Sequence, residues 1–62
     1  MQNEITQKHM HEMDRLKSYF PFRIVFAIVD KDGSVDIQCR KTMRVANDAV
    51  RAGKKVMIFS YQ

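Results

Sequence analysis

The chain has 62 residues, of which 45% are apolar and 29% charged, and its formal net charge is +4. That makes one small domain: there is no length for a second, and the chain is too apolar for intrinsic disorder. A single cysteine leaves no internal disulfide to reinforce so short a chain, so its stability must come from packing alone.

Asn3 is the expected N-cap of a first helix, with Glu4 in the first turn, where the helix dipole favours a carboxylate. Ile5, His9, Met13, Leu16 and Phe20 then recur at spacings of four, four, three and four. This is one stripe of an amphipathic helix, widened by Met10. Glu4 and Lys8 form a favourable i,i+4 pair. Pro21 stops the helix and pushes Phe20 to extended geometry. The expected helix covers residues 4–18.

Residues 22–30 carry the strongest strand signal. Phe22, Ile24, Phe26 and Ile28 alternate with Arg23, Val25, Ala27 and Val29. Both sets are largely apolar, as in a central strand covered on both faces. Asp30-Lys31-Asp32-Gly33 reads as a hairpin turn. Val35, Ile37 and Cys39 alternate with Asp36, Gln38 and Arg40, which predicts an edge strand with one wet face. Thr42 is the expected cap of a second helix running to about Ala52, with Met43, Ala46, Val50 and Gly53 on its inner stripe and Ala49 beside it. Gly53 suits the left-handed position after a helix, and Arg51, Lys54 and Lys55 suit its negative end. Residues 56–61 read as a last strand.

A hairpin followed by a helical crossover leaves one slot for the third strand, on the far side of the first. The expected fold is α+β: an N-terminal helix plus a split β-α-β unit, with a three-stranded antiparallel sheet in order 2-1-3. Residues 1–62 form this single small domain. The second helix is expected on the face that carries the apolar side chains of strand two. The first helix either covers the opposite face or packs beside the second. In the latter case Val25, Ala27, Val29, Met57, Phe59 and Tyr61 would stay open as a partner site. This arrangement hosts many functions and names none.

Few residues suggest chemistry. His9 and His11 are two apart on a helix, so they face different ways and cannot share an ion. Cys39 has no orienting third residue for a Cys-His pair. Asp30, Asp32 and Asp36 fail the calcium-loop pattern, because Gly33 is the fourth residue of the run and Lys41 the twelfth. Gly33 and Gly53 are isolated, so there is no phosphate-cradling loop. No catalytic site, cofactor or metal is expected, and the chain is not expected to be an enzyme. The start of the chain has no apolar core of a signal peptide, and the longest mostly apolar run, Ile24 to Val29, is far short of a membrane span. With one unpaired cysteine, these features predict a cytoplasmic protein without a membrane partner.

Charge is more informative. In residues 1–20, Lys8, Arg15 and Lys17 balance Glu4, Glu12 and Asp14, so the whole excess lies in residues 21–62. Lys41, Arg44, Arg51, Lys54 and Lys55 are expected to form one basic patch around the second helix, with Asp48 neutralising part of it. Phe59 and Tyr61 are the candidate apolar contacts. Phe26, Phe59 and Tyr61 would stack bases if exposed, although the aromatic-glycine signature of the four-stranded RNA-binding fold is absent. The leading expectation is a small non-enzymatic accessory or inhibitor protein, of the kind phages encode, docking onto a larger protein or ribonucleoprotein. The alternatives are a small basic nucleic-acid-binding protein and a homodimer joined through an exposed edge or sheet face.

Overall fold

A computed structural model describes residues 5–60 of the chain. Five elements follow in the expected order: α1 (Gln7–Tyr19), β1 (Ile24–Val29), β2 (Val35–Arg40), α2 (Arg44–Arg51) and β3 (Lys55–Ser60). The strands form one sheet in order β2-β1-β3, antiparallel at both junctions, as the hairpin and crossover require.

Helix α1 starts later than expected. Asn3, Glu4 and the pairing of Glu4 with Lys8 lie outside the described residues. Thr6 is the N-cap: its hydroxyl accepts the His9 N–H at 3.4 Å, and His9 Nδ1 accepts the Thr6 N–H at 3.1 Å. His9 thus takes the reciprocal role usually filled by Glu or Gln, three residues after the cap. Ile5, Met13 and Leu16 point inward as their spacing demands, whereas Met10 stays exposed.

Strand β1 is shorter than its alternation suggests. Phe22 and Arg23 precede it, and Phe22 is 95% exposed. The pairing with β2 ends at Ile24 opposite Arg40, where β2 stops, so there is no strand for Phe22 or Arg23 to pair with. Within β1, residues 25–29 are all buried, which marks it as the central strand.

The two helices take opposite faces, and the expected assignment of α2 to the apolar side of β2 is wrong. The hairpin register sets Val25 opposite Cys39, Ala27 opposite Ile37 and Val29 opposite Val35. Partners directly opposite share a face. The apolar side chains of β2 therefore sit with Val25 and Ala27, and this is the face that α1 covers through Met13, Leu16 and Ile5. Phe26 and Ile28 lie on the other face, beside Gln38 and Asp36, and α2 covers them with Ala46 and Ala49. Since α2 reaches β1 and β3, with Val56 and Ile58 beneath it, the polar face of β2 remains in water. There Asp36 accepts from Gln38 at 2.6 Å, and Gln38 accepts from Arg40 at 2.8 Å.

Helix α2 departs from expectation at its start. Thr42 is not the N-cap; Met43 holds that position without a side-chain cap, and the Thr42 hydroxyl accepts the Arg44 N–H at 3.4 Å. Val50 is exposed, because the buried stripe turns toward Val45, which packs with Met43 against the Phe26 cluster. The far end matches expectation. Gly53 has φ +86°, its N–H donates to Val50 O, and the Lys54 N–H donates to Ala49 O, both at 3.0 Å. These two bonds define a Schellman cap. A Cβ at Gly53 would touch nothing within 4 Å, so Gly53→Ala isolates the backbone strain of a left-handed residue. It should cost about 1–2 kcal/mol. A urea midpoint equal to the parent's would contradict this.

The hairpin turn engages Asp30 and Asp32 in its own hydrogen bonds, whereas Asp36 lies in β2. Gly33 has φ +88°, and its N–H donates to Asp30 O at 3.0 Å. Asp32 accepts the Ser34 amide at 2.9 Å and the Ser34 hydroxyl at 2.7 Å, and these bonds hold its carboxyl below its usual range. The group is exposed. Its small bracing effect is present above the ordinary carboxylate pKa and is lost as pH falls through the lowered one.

Candidate binding surface

The five cations expected to form one patch divide between the two ends of α2. Lys41 and Arg44 stand at its start, and Arg51, Lys54 and Lys55 at its finish. Seven residues of helix put about 10 Å between Arg44 and Arg51 along the axis. The two groups also differ in company. Arg51 pairs with Asp48 at 3.2 Å, and Lys54 pairs with Asp30 at 3.5 Å, beside the hairpin turn. Lys55 borders a small hollow that also includes Asp30. Among the described residues, Lys41 and Arg44 join no ion pair.

The end of the sheet near Lys41 has a second feature that the charge pattern missed. Tyr19, the last residue of α1, and the α1–β1 connection, Phe20-Pro21-Phe22-Arg23, line an open apolar hollow together with Lys41. Tyr19 is 69% exposed there, and Phe22 is almost wholly in water. An exposed large apolar cluster is informative where a single exposed residue is not. Full burial of one such side chain is worth about 1.5–3 kcal/mol that this fold does not collect.

The connection is held in place rather than left loose. Lys17 Nζ donates to Pro21 O at 2.7 Å and to Arg23 O at 3.1 Å. The Arg23 N–H donates to Phe20 O at 3.0 Å, and Pro21 fixes one backbone angle between them. The Arg23 guanidinium lies 4.8 Å over the Phe20 ring, within cation–π range. Tyr19 meets the same ring edge-on, with centroids 6.5 Å apart. Phe20 is thereby fixed from two sides, and Phe22 projects beyond it.

Basic residues concentrate toward this end of the sheet. Residues 15–29, 37–47 and 49–62 contain no Asp or Glu. The first two of these stretches supply Arg23, Arg40, Lys41 and Arg44 where β1 begins and β2 ends. The hairpin end, about 17 Å away along the strands, mixes both signs through Asp30, Lys31, Asp32, Lys54 and Lys55.

The remaining candidates sit elsewhere. Phe59 packs part-buried into the cluster beneath α1 and borders a shallow hollow with Gln7, Met10, His11 and Asp14. Tyr61 lies outside the described residues. Phe26 is fully buried, so it stacks on nothing external. The sheet face that would have served a partner had α1 packed beside α2 is covered by α1. Cys39 is part-buried under the same helix, and His9 Nδ1 is engaged in the α1 cap. Among the described residues, no three His, Cys, Asp or Glu side chains come together as a metal-holding group, and no helix is long and apolar enough to cross a membrane.

Comparison with family models, with curated proteins and with solved structures returns no match. The aromatic half of the surface carried a signal in the sequence, the run Tyr-Phe-Pro-Phe-Arg, which the two periodic patterns divided, taking Phe20 into the helix stripe and Phe22 and Arg23 into β1.

Proposed function

We propose that the protein is a small non-enzymatic accessory protein that docks, through the end of the sheet formed by Tyr19, Phe22, Arg23, Lys41 and Arg44, onto a larger protein or ribonucleoprotein. One observation carries this reading: a braced, exposed aromatic cluster stands beside Arg23 and Lys41. Apolar area at the centre and charge at the rim is the anatomy of a binding surface. The charge favours an anionic partner. The chain works in the cytoplasm and acts by occupancy, as an inhibitor or regulator of the phage-encoded kind would. Direct nucleic-acid binding is the second reading, favoured by the aromatic residues adjoining Lys41.

The test uses the full chain immobilised in lysate of its native host, beside two double reversals. Lys41→Glu with Arg44→Glu should reduce capture of the parent's partner at least tenfold, as loss of charge-paired contacts at an interface does. Arg51→Glu with Lys55→Glu, at the other end, should leave capture unchanged. All these charges are exposed and matter little to the fold, which circular dichroism checks. Equal capture by the parent and the first variant would refute the site.

A further inference from the structure

We infer that the surface around Phe22 binds a single-stranded nucleic acid, with bases stacked on Phe22 and Tyr19 and the neighbouring phosphates held by Lys41 and Arg44. This rests on the surface proposed above and carries its second, nucleic-acid reading further, to the form of the strand and the residues that contact it.

The inference follows from matching chemistry. The partner must offer flat apolar faces to cover Phe22 and Tyr19, and it must carry anionic groups to meet Lys41 beside them and Arg44 three residues further along the chain. A single strand offers both along its whole length, since every base has a π-face and every linkage a phosphate. A duplex hides its base faces in the stack, which leaves only phosphates for the cations. An acidic protein face would have to present apolar side chains together with its carboxylates to match both halves of the site.

The state of each ring agrees. Phe20 has one face occupied by the Arg23 guanidinium. Phe22 has no such cover and is the main platform. Tyr19, tilted 69° to Phe20, flanks it. The bonds from Lys17 to the Pro21 and Arg23 carbonyls hold the connection before any ligand arrives, which lowers the ordering cost of binding. The inferred contacts involve base faces and phosphates, which RNA and DNA share, so strands of either kind should bind alike.

The experiment is fluorescence anisotropy with the full chain and labelled 12-nucleotide mixed-sequence probes: single-stranded DNA, single-stranded RNA and blunt duplex. Salt is varied from 50 to 300 mM. The parent should bind both single strands within about threefold of each other and the duplex at least fivefold more weakly. Phe22→Ala should weaken single-strand binding at least fivefold, and Phe22→Trp should restore it. The double variant Lys41→Gln and Arg44→Gln should lower the slope of log affinity against log salt by about 1.4, as removal of two phosphate contacts on a single strand requires. Arg51→Gln should change nothing. Phe22 lies outside every strand and helix, so circular dichroism should show each variant folded.

Equal affinity for duplex and single strands, or an unchanged affinity in Phe22→Ala, would overturn the inference. So would binding to poly-glutamate or to anionic phospholipid vesicles without binding to single strands. In that case, a host partner lost with Lys41→Glu and Arg44→Glu would leave the docking surface standing with a protein or lipid contact. A partner retained by that variant would remove both.

Discussion

Phe26→Ala should remove a large share of the protein's stability. Phe26 is fully buried at the centre of β1, with Gln38 and Ile58 opposite it on the two flanking strands. Ala46 and Ala49 of α2 close over it, and no other residue of its cluster is as large. Truncating a buried Phe removes its transfer free energy and leaves a cavity, at a cost of about 3–5 kcal/mol. At about 0.05–0.15 kcal/mol per residue, a domain of this length has about 3–9 kcal/mol in total. Thermal unfolding followed by circular dichroism decides the matter. The variant should show a lost or strongly lowered transition, and Phe26→Leu should retain much more of it. A cooperative melt within a few degrees of the parent's would mean that Phe26 is not the core of this face.

Met13→Ala should have a comparable effect through the other face. Met13 is the one fully buried residue of α1, and it sits over Val25 and Ala27. Truncating a buried Met to Ala costs about 2–5 kcal/mol, and here the loss falls at the only point where α1 is anchored by complete burial. The expected result is a lower urea midpoint together with dye binding to newly exposed apolar surface, as α1 detaches and Val25, Ala27, Met57 and Phe59 meet water. An unchanged midpoint without dye binding would show that α1 contributes little to stability. In that event the covered face would again be open to a partner.

Element order and sheet topology were legible because they depend on local chemistry and chain connectivity. The Asp-Gly turn, the two-faced apolarity of residues 24–29 and a helical crossover suffice for order 2-1-3. Gly53 announced the end of α2, since a left-handed residue after a helix is nearly a glycine property. The helix N-termini were less legible. Thr6 with His9, and Met43 without a side-chain cap, depart from the usual residue preferences, and several nearby residues offer alternatives.

Which side chains share a face was implicit in the turn. Five residues between Val29 and Val35 set the register, and the register places Val35, Ile37 and Cys39 with Val25 and Ala27. Counting across the hairpin assigns side chains to a face, but only the packed structure says which helix covers it. The binding surface shows the same division. Sequence alone determined that the chain is basic, that its excess charge follows residue 20, and that Tyr19, Phe20 and Phe22 lie beside a proline. Tertiary structure decided which charges are neutralised, by bringing Asp30 to Lys54, and which remain beside the aromatic cluster, by bringing Lys41 to Phe22. The physical reason is range: a turn or a cap is settled within a few residues, whereas exposure and charge pairing depend on contacts that form only when distant segments meet.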